Sequence, residues 1–286
     1  MKVLVTGAKG QLGFDCVRVF KKCGFKDVLG IDVEDVDITQ ESKIKNFIFN
    51  YRPDVVVHCA SYTAVNQAEV NKEIAYKVNV LGTKYIAESA EEINAKLVYI
   101  STDYVFDGSG SDYHEVADKT NPLNYYGYTK LEGEKSAGTC SKSFIIRISW
   151  AFGIKGNNFI KAMLTLADNH KELVVVNDQI GSPTYTYDLA KLISVMLTTD
   201  KYGTYHATNE GVCSWCELAD ATFKLANKDT KVIPMSSKEY QLKHPGTVNR
   251  PHNSKLSKKS LDSAGFKRLP SWQDALKRYL KELKVI

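Results

Sequence analysis

Tyr126 and Lys130 stand four residues apart in Asn124-Tyr125-Tyr126-Gly127-Tyr128-Thr129-Lys130, downstream of Ser101-Thr102-Asp103-Tyr104-Val105-Phe106-Asp107-Gly108. On a helix, residues four apart share one face. A free phenol, with a pKa near ~10, is a slow proton donor at neutral pH. An ammonium beside it favours the phenolate and draws that value toward the working range. The same ammonium can hydrogen-bond a nicotinamide ribose. Thr102 ends a predicted strand, where its hydroxyl can donate to a carbonyl oxygen as negative charge develops there. Tyr126, Lys130 and Thr102 are therefore the candidate catalytic residues, and carbonyl reduction is their chemistry.

The Tyr-x-x-x-Lys spacing alone is weak, because a lysine-rich chain with 16 tyrosines produces it about twice by chance. Two such pairs occur, Tyr126/Lys130 and Tyr187/Lys191, and position separates them. Tyr126 follows Asn121-Pro122-Leu123-Asn124, a turn-forming start for a helix. That helix comes after the fourth strand and can flank the carboxyl edge of a sheet, where ligands bind. Tyr187/Lys191 is expected on a surface helix.

The elements that must position these groups begin at the first residues. Val3 to Val5 is a short apolar run that ends at Thr6-Gly7. Gly7-Ala8-Lys9-Gly10-Gln11-Leu12-Gly13 then opens a helix over Gln11 to Cys23, with Leu12, Cys16, Val19 and Phe20 at helical spacing. Gly7 permits the tight turn, Gly10 lets backbone approach a pyrophosphate, and Gly13 lets helix and strand pack closely. The helix N-terminus offers unpaired N–H groups and partial positive charge to phosphates. Asp32 ends the second strand, nineteen residues after Gly13, where a carboxylate commonly binds the adenosine ribose. Lys9 points the other way, toward a 2′-phosphate, so NADH and NADPH both remain open.

Further strands are expected at Asp27 to Asp32, Val55 to Val57, Leu97 to Ile100 and Phe144 to Ile146. Helices are expected at Ile44 to Tyr51 and, broken, over Gln67 to Ile93. Strand and helix alternate, which gives a parallel sheet with right-handed crossovers. After Trp150 the pattern loosens. Helices are expected at Phe159 to Ala167, Leu189 to Leu197 and Trp272 to Leu283, and strands at Leu173 to Val176 and Thr204 to Ala207.

Bulk properties narrow the partners. A chain of 286 residues suits two lobes or one large α/β unit. A formal charge of +5 from interspersed residues does not make a nucleic-acid surface. Six scattered cysteines are ordinary intracellular usage. No leader pattern and no run of ~18 apolar residues stands out, so no membrane partner and a cytoplasmic location are expected.

Taken together these motifs resemble the extended short-chain dehydrogenase/reductase family, and within it the dTDP-4-dehydrorhamnose reductase branch. The likeness runs over nearly the whole chain. It includes Gly10-Gln11-Leu12-Gly13, Asp37-Ile38-Thr39, Tyr62-Thr63-Ala64-Val65, Ser101 to Gly108, Thr129-Lys130-Leu131 and Gly133-Glu134. It continues in Arg147 with Ser149-Trp150, Asn158-Phe159, Asp178-Gln179, Gly181-Ser182-Pro183-Thr184, and Arg250-Pro251 with Asn253-Ser254. The resemblance implies an α/β fold, a Rossmann doubly wound parallel sheet with a smaller C-terminal α/β substrate lobe. Residues 1–150, rejoined by roughly 187–209, would form the NAD(P)-binding domain. Residues 151–186 and 210–286 would form the substrate lobe.

By the same resemblance Gly10, Gln11, Leu12, Asp37, Ile38, Ala60, Ser61, Tyr62 and Thr63 would line the dinucleotide, with Gly7, Gly13, Asp32, Tyr126 and Lys130. Thr63, Val65, Thr102, Asp103, Tyr104, Trp150 and Asn158 would contact a dTDP-sugar. The implied reaction is NADH- or NADPH-dependent reduction of a nucleotide-sugar 4-keto group by a monomer or homodimer. One departure is Asn66, where the family often has Asp. Some relatives bind magnesium at a dimer contact; Asp15, Asp188 and Glu282 fall near the matching places, are expected as surface carboxylates, and imply no required metal.

A sister epimerase or 4,6-dehydratase is a rival, but a dehydratase needs an acidic pair after the threonine, and Asp103 is followed by Tyr104. A second rival is a non-catalytic regulatory subunit on the same fold, against which the intact Tyr126, Lys130 and Thr102 speak. Cys213-Ser214-Trp215-Cys216 has no second pair at metal-ligand spacing, and Ser214 with Glu217 reads as a capping box. His58 is expected as a satisfied core histidine, Cys59 as a small buried residue, and Lys255 to Lys259 as a solvated face.

Overall fold

Val3 and Val5 of β1 (Lys2–Thr6) belong to one apolar cluster and Leu4 to another, and all three are fully buried. The same alternation holds in β3 (Val55–His58), with Val55 and Val57 against Val56, and in β4 (Lys96–Thr102), with Val98 against Leu97 and Tyr99. A strand apolar on both faces needs cover on both. The structure, a computed structural model, describes residues 1–286. One face is covered by α1 (Gln11–Lys22) and the Thr186–Met196 helix. The other is covered by α2 (Glu41–Tyr51), the Thr83–Glu92 helix and the end of the Tyr125–Ala137 helix.

The main sheet has six parallel strands. Strand Gly203–His206 lies at one edge beside β5 (Ser143–Ile148), followed by β4, β3 and β1, with β2 (Asp27–Ile31) at the far edge. The connections reverse direction at β1, so β1 and β3 diverge at their carboxyl ends and leave a crevice. This is the Rossmann-type α/β sheet that the motifs imply.

The remaining chain builds a smaller layer. Strand Glu172–Val176 pairs in parallel with Lys231–Met235, and the Phe159–Ala167 and Trp215–Leu225 helices pack on them through Val175, Ala219 and Phe223. Lys231–Met235 was not expected from the sequence, because a proline interrupts it and its burial is slight. The Ser214–Glu217 capping box is present, and Ser236 with Glu239 makes a second one. The C-terminal helix, Trp272–Glu282, packs against Phe152 and Tyr185 and so ties this layer to the sheet.

Several expectations about charged residues are overturned. Asp15 and Asp188 are buried, not surface carboxylates, and Glu282 is half-buried. Arg18 bonds both Asp15 and Glu282, and Arg278 makes two hydrogen bonds to Asp188. Each of the three carboxylates is thus matched by a guanidinium of this chain. Lys258 is buried as well, 5% exposed, and burial pushes its ammonium down to about 8. Cys59 is only half-buried and reaches the crevice wall. Of the Tyr187/Lys191 pair, Lys191 is exposed, with its ammonium over the Tyr187 ring, but Tyr187 is half-buried against the core.

Behind the crevice, Arg147 of β5 makes a two-pronged bond to Glu134, at 2.8 Å from each nitrogen. Ser101 also donates to Glu134, and Arg147 reaches the Val116 carbonyl. Both side chains are under a tenth exposed. Removing one partner strands a charge in the core, so Arg147→Met is expected to cost about 3–5 kcal/mol in urea unfolding. A loss under about 1 kcal/mol would show that the pair is solvated.

His58 is held between Thr6 (2.7 Å) and Thr83 (3.1 Å), the satisfied core histidine expected. Burial, helped by the Lys130 charge, pushes it down to about 3; burial and Arg147 do the same to His206. Unfolded histidines take up protons near ~6.5, so stability present above that pH is lost as pH falls toward 3. Asp103, raised to about 6 by burial, keeps its proton in the folded form and offsets one histidine below that pH. Unfolding titrations between pH 6.5 and 4.5 should therefore show His58→Gln flattening the acid loss by about 1.4 kcal/mol per pH unit.

Candidate active site

The turn after β1 is built from constraints on glycine. Gly7 has φ +66°, and a Cβ there would lie 2.6 Å from the Ala60 nitrogen. A Cβ on Gly13 would lie 2.1 Å from the Gly7 carbonyl oxygen. No side chain caps α1, and no acidic residue sits in its first turn, so the N–H groups after Gly10 are left to face the crevice. Asp32 pins this turn to the end of β2 by accepting the Lys9 N–H at 2.9 Å. The Lys9 ammonium pairs with Glu34 at 3.0 Å.

The crevice is a cavity of about 730 Å³. Its wall contains Gly7, Gly10, Gln11, Leu12, Asp32, Asp37, Ile38, Ala60, Ser61, Thr63, Thr102, Tyr126, Lys130 and Trp150. The sequence reasoning missed Cys59, Val78, Ser101, Asn157 and Thr186, which also line it. Gly13, Tyr62, Val65, Asp103, Tyr104 and Asn158 are not in the wall. Gly13 serves packing beneath the turn. Asn158 caps the Phe159–Ala167 helix and donates to Gln11, to the Gly153 carbonyl and to the Tyr279 hydroxyl. It steadies Gln11 from outside the cavity.

Tyr62 is held from behind by Asn79, which accepts the Tyr62 N–H at 2.8 Å and donates to its carbonyl at 3.1 Å. The same amide accepts the Ser61 hydroxyl and donates to Thr129. Asn79 thus clamps loop 60–63 to the Tyr125–Ala137 helix. It sits in a π-helical stretch, Lys77–Gly82, that interrupts the helical run expected over 67–93. Such bulges turn a side chain off the regular helical spacing, often at functional sites. A broken helix was the only trace of this in the sequence.

Asn124 caps the Tyr125–Ala137 helix by accepting the Gly127 N–H. A Cβ on Gly127 would meet the Tyr104 carbonyl at 2.3 Å, and one on Gly133 would meet the Tyr99 hydroxyl at 2.1 Å. Gly133 lets the helix lie directly on β4 and Gly127 on the turn after it, so that Tyr126 and Lys130 enter the same cavity as Thr102. Tyr104 packs edge-on against Tyr126, ring centres 5.7 Å apart.

The electrostatics differ from the sequence-based expectation. Burial pushes the Tyr126 phenol well above its ordinary value, and Asp103 adds to the rise. Burial pushes Lys130 down to about 7, opposed by the Glu134 charge. Thr102 donates to Asp103 at 3.0 Å and accepts the Tyr104 N–H at 3.2 Å. Its hydroxyl therefore faces Asp103 rather than pointing freely into the cavity. The other Asp103 oxygen is buried without a partner.

Trp150 adopts φ +50° and stacks on Trp215, ring centres 3.8 Å apart. Trp150 lines the large cavity; Trp215 lines a second one of about 460 Å³. This second cavity is bounded by Asn66, Gln179, Tyr240, His244 and Arg250. The buried Arg250 Nε has no hydrogen-bond partner. A buried cationic donor without an acceptor calls for an anion.

Residues 1–285 match a family model described as RmlD substrate binding domain. The spore coat polysaccharide biosynthesis protein SpsK of Bacillus subtilis is 40% identical over 282 residues, covering 98% of this chain and 97% of its own. A crystal structure of a dTDP-4-dehydrorhamnose reductase from Clostridium acetobutylicum superposes with TM-score 0.95 at 40% identity, covering 99% of this chain and 100% of that one. The Bacillus anthracis dTDP-4-dehydrorhamnose reductase, solved in complex with NADP, has TM-score 0.91 at 38% identity, over 98% and 99% of the two chains. Identity of this order over the full length of both partners, joined to the cavity geometry above, places the chain in the dTDP-4-dehydrorhamnose reductase (RmlD) family.

Proposed function

We propose that this protein reduces the C4 keto group of dTDP-4-dehydro-6-deoxy-L-mannose to give dTDP-L-rhamnose. The observation that carries the reading is that Tyr126, Lys130 and Thr102 line one cavity with the glycine-rich turn. The turn fits a dinucleotide: a Cβ on Gly10 would crowd the Gly7 carbonyl oxygen at 3.2 Å and stand in the cavity, and the start of α1 is uncapped. Gly7, Gly10, Gln11 and Leu12 would hold the pyrophosphate, and Asp37, Ile38 and Ala60 to Thr63 the flanking nucleosides. The reduced nicotinamide, when bound, supplies the hydride.

The residues then act in the direction of reduction. A phenol held above its ordinary pKa stays protonated until an oxyanion develops beside it, which suits Tyr126 as the proton donor. Lys130 carries the positive charge that stabilises the departing proton's phenolate and binds ribose hydroxyls. Thr102 commits its proton to Asp103 while that carboxyl is ionised. Once Asp103 is protonated it can donate in turn, which frees the Thr102 hydroxyl for the substrate oxygen. Gly13, Tyr62, Asp103, Tyr104 and Asn158 support the wall from outside it.

The second cavity suits the nucleotide end of the substrate. Arg250 would take the diphosphate, Trp215 and Tyr240 offer apolar faces to a base, and the Trp150–Trp215 stack marks where the sugar passes between the cavities. On this reading residues 1–150 with 187–209 serve the dinucleotide, and 151–186 with 210–286 serve the sugar nucleotide. No helix is long and apolar enough to cross a membrane.

The test is oxidation of NADPH and NADH, followed separately, against dTDP-4-dehydro-6-deoxy-L-mannose; comparing the two rates also gives the cofactor preference. Tyr126→Phe is expected to keep dinucleotide affinity within a few-fold and lose turnover by about 10²–10⁴. Turnover near that of the unaltered enzyme would remove Tyr126 from the chemistry.

A further inference from the structure

The Lys130 residue is buried, 3% exposed, and its side chain reaches the cavity, yet no carboxylate or carbonyl of the protein is hydrogen-bonded to its ammonium. Its nearest organised contact is an aromatic face. The nitrogen stands 4.1 Å from the centre of the Tyr99 ring. Tyr99 is itself fully buried at the middle of β4, on the sheet face that carries the Tyr125–Ala137 helix. Its hydroxyl donates to the Lys130 carbonyl at 3.2 Å, and Gly133 leaves the room for that hydroxyl. One side chain thus grips Lys130 at both ends, backbone and ammonium.

We infer that Tyr99 is a positioning residue whose ring face holds the Lys130 ammonium aimed into the cavity and in its charged form. A desolvated cation over an aromatic face is attracted by the ring's negative quadrupole. A leucine or valine at 99 would fill a similar place in the sheet core but offer no such face. Other groups surround the ammonium: Glu134 on the same helix, His58 and Cys59 from β3, and Tyr126 one turn earlier. Glu134 is paired with Arg147 from β5, Asp103 faces Tyr126, and His58 stays neutral. None of these is hydrogen-bonded to the ammonium, whereas the ring centre stands 4.1 Å from it. Glu134 acts through space with its own cation attached, which leaves the ring as the adjustable contact.

The inference rests on the reading of Lys130 as the cation that meets the dinucleotide, so the experiment reads binding and needs no turnover. NADPH affinity is measured by fluorescence from pH 6 to 10 in the unaltered protein, Lys130→Met, Tyr99→Phe and Tyr99→Leu. Lys130→Met should weaken binding at low pH and abolish the alkaline fall. An affinity indifferent to that change overturns the reading of the site and this inference with it. Tyr99→Phe keeps the ring face and should keep the pH at which binding falls. Tyr99→Leu should move that fall to lower pH by roughly one unit, because the lysine loses its proton earlier. Should Tyr99→Leu fail to fold, ring-fluorinated phenylalanines at 99 keep the shape while depleting the face, and the shift should grow with fluorination. A fall at the same pH in all ring and leucine variants, while Lys130→Met does weaken binding, overturns the role of Tyr99 alone.

Discussion

Contact between the Tyr125–Ala137 helix and β4 is the constraint on which the site depends. Gly127 and Gly133 stand where any side chain would strike the Tyr104 carbonyl or the Tyr99 hydroxyl. Their absence of a Cβ brings the helix down onto the strand and the turn after it, and only then do Tyr126 and Lys130 reach the crevice that Thr102 borders. Asn79 and Asn124 hold the two ends of that arrangement, one to loop 60–63 and one at the helix cap. The chemistry is thus set by backbone approach before any charge is considered.

Close packing has an electrostatic consequence. A phenol and an ammonium brought into a buried wall are both pushed toward their neutral forms. Tyr126 is held protonated and Lys130 is driven down to about 7. Two devices oppose the loss of the lysine charge: the field of Glu134 and the aromatic face of Tyr99. Arg147 in turn pairs with Glu134 in the core. The Ser101–Glu134–Arg147 group is therefore part of the support of the site as well as of the fold.

The chain assigns its cations by the company they keep. Arg18 pairs with Asp15 and Glu282, and Arg278 with Asp188 and Asp274, so both guanidiniums find their carboxylates within the chain. Arg250, by contrast, has a buried nitrogen without an acceptor at the edge of the second cavity. The first arrangement is complete in itself; the second is suited to an anionic ligand. Charge in a sequence does not distinguish these cases, because the difference lies in which carboxylates the fold brings within reach.

The order of strands and helices up to Trp150, the glycine-rich turn, and the pair Tyr126/Lys130 after Thr102 were legible from residue types and spacing. Those features are local: glycine positions, period-two apolar runs and i, i+4 pairs are dictated by backbone geometry within a few residues. Tertiary structure decided what lies far apart in the chain. It withdrew Asn158 from the cavity wall to hold Gln11, 147 residues away, and turned Thr102 toward Asp103. It buried Asp15, Asp188 and Lys258, which composition marks as surface residues, and it set Tyr99 under Lys130. It also inverted the expected direction of the Tyr126 shift, since burial depends on every element packed around a group and a single neighbour's charge does not outweigh it.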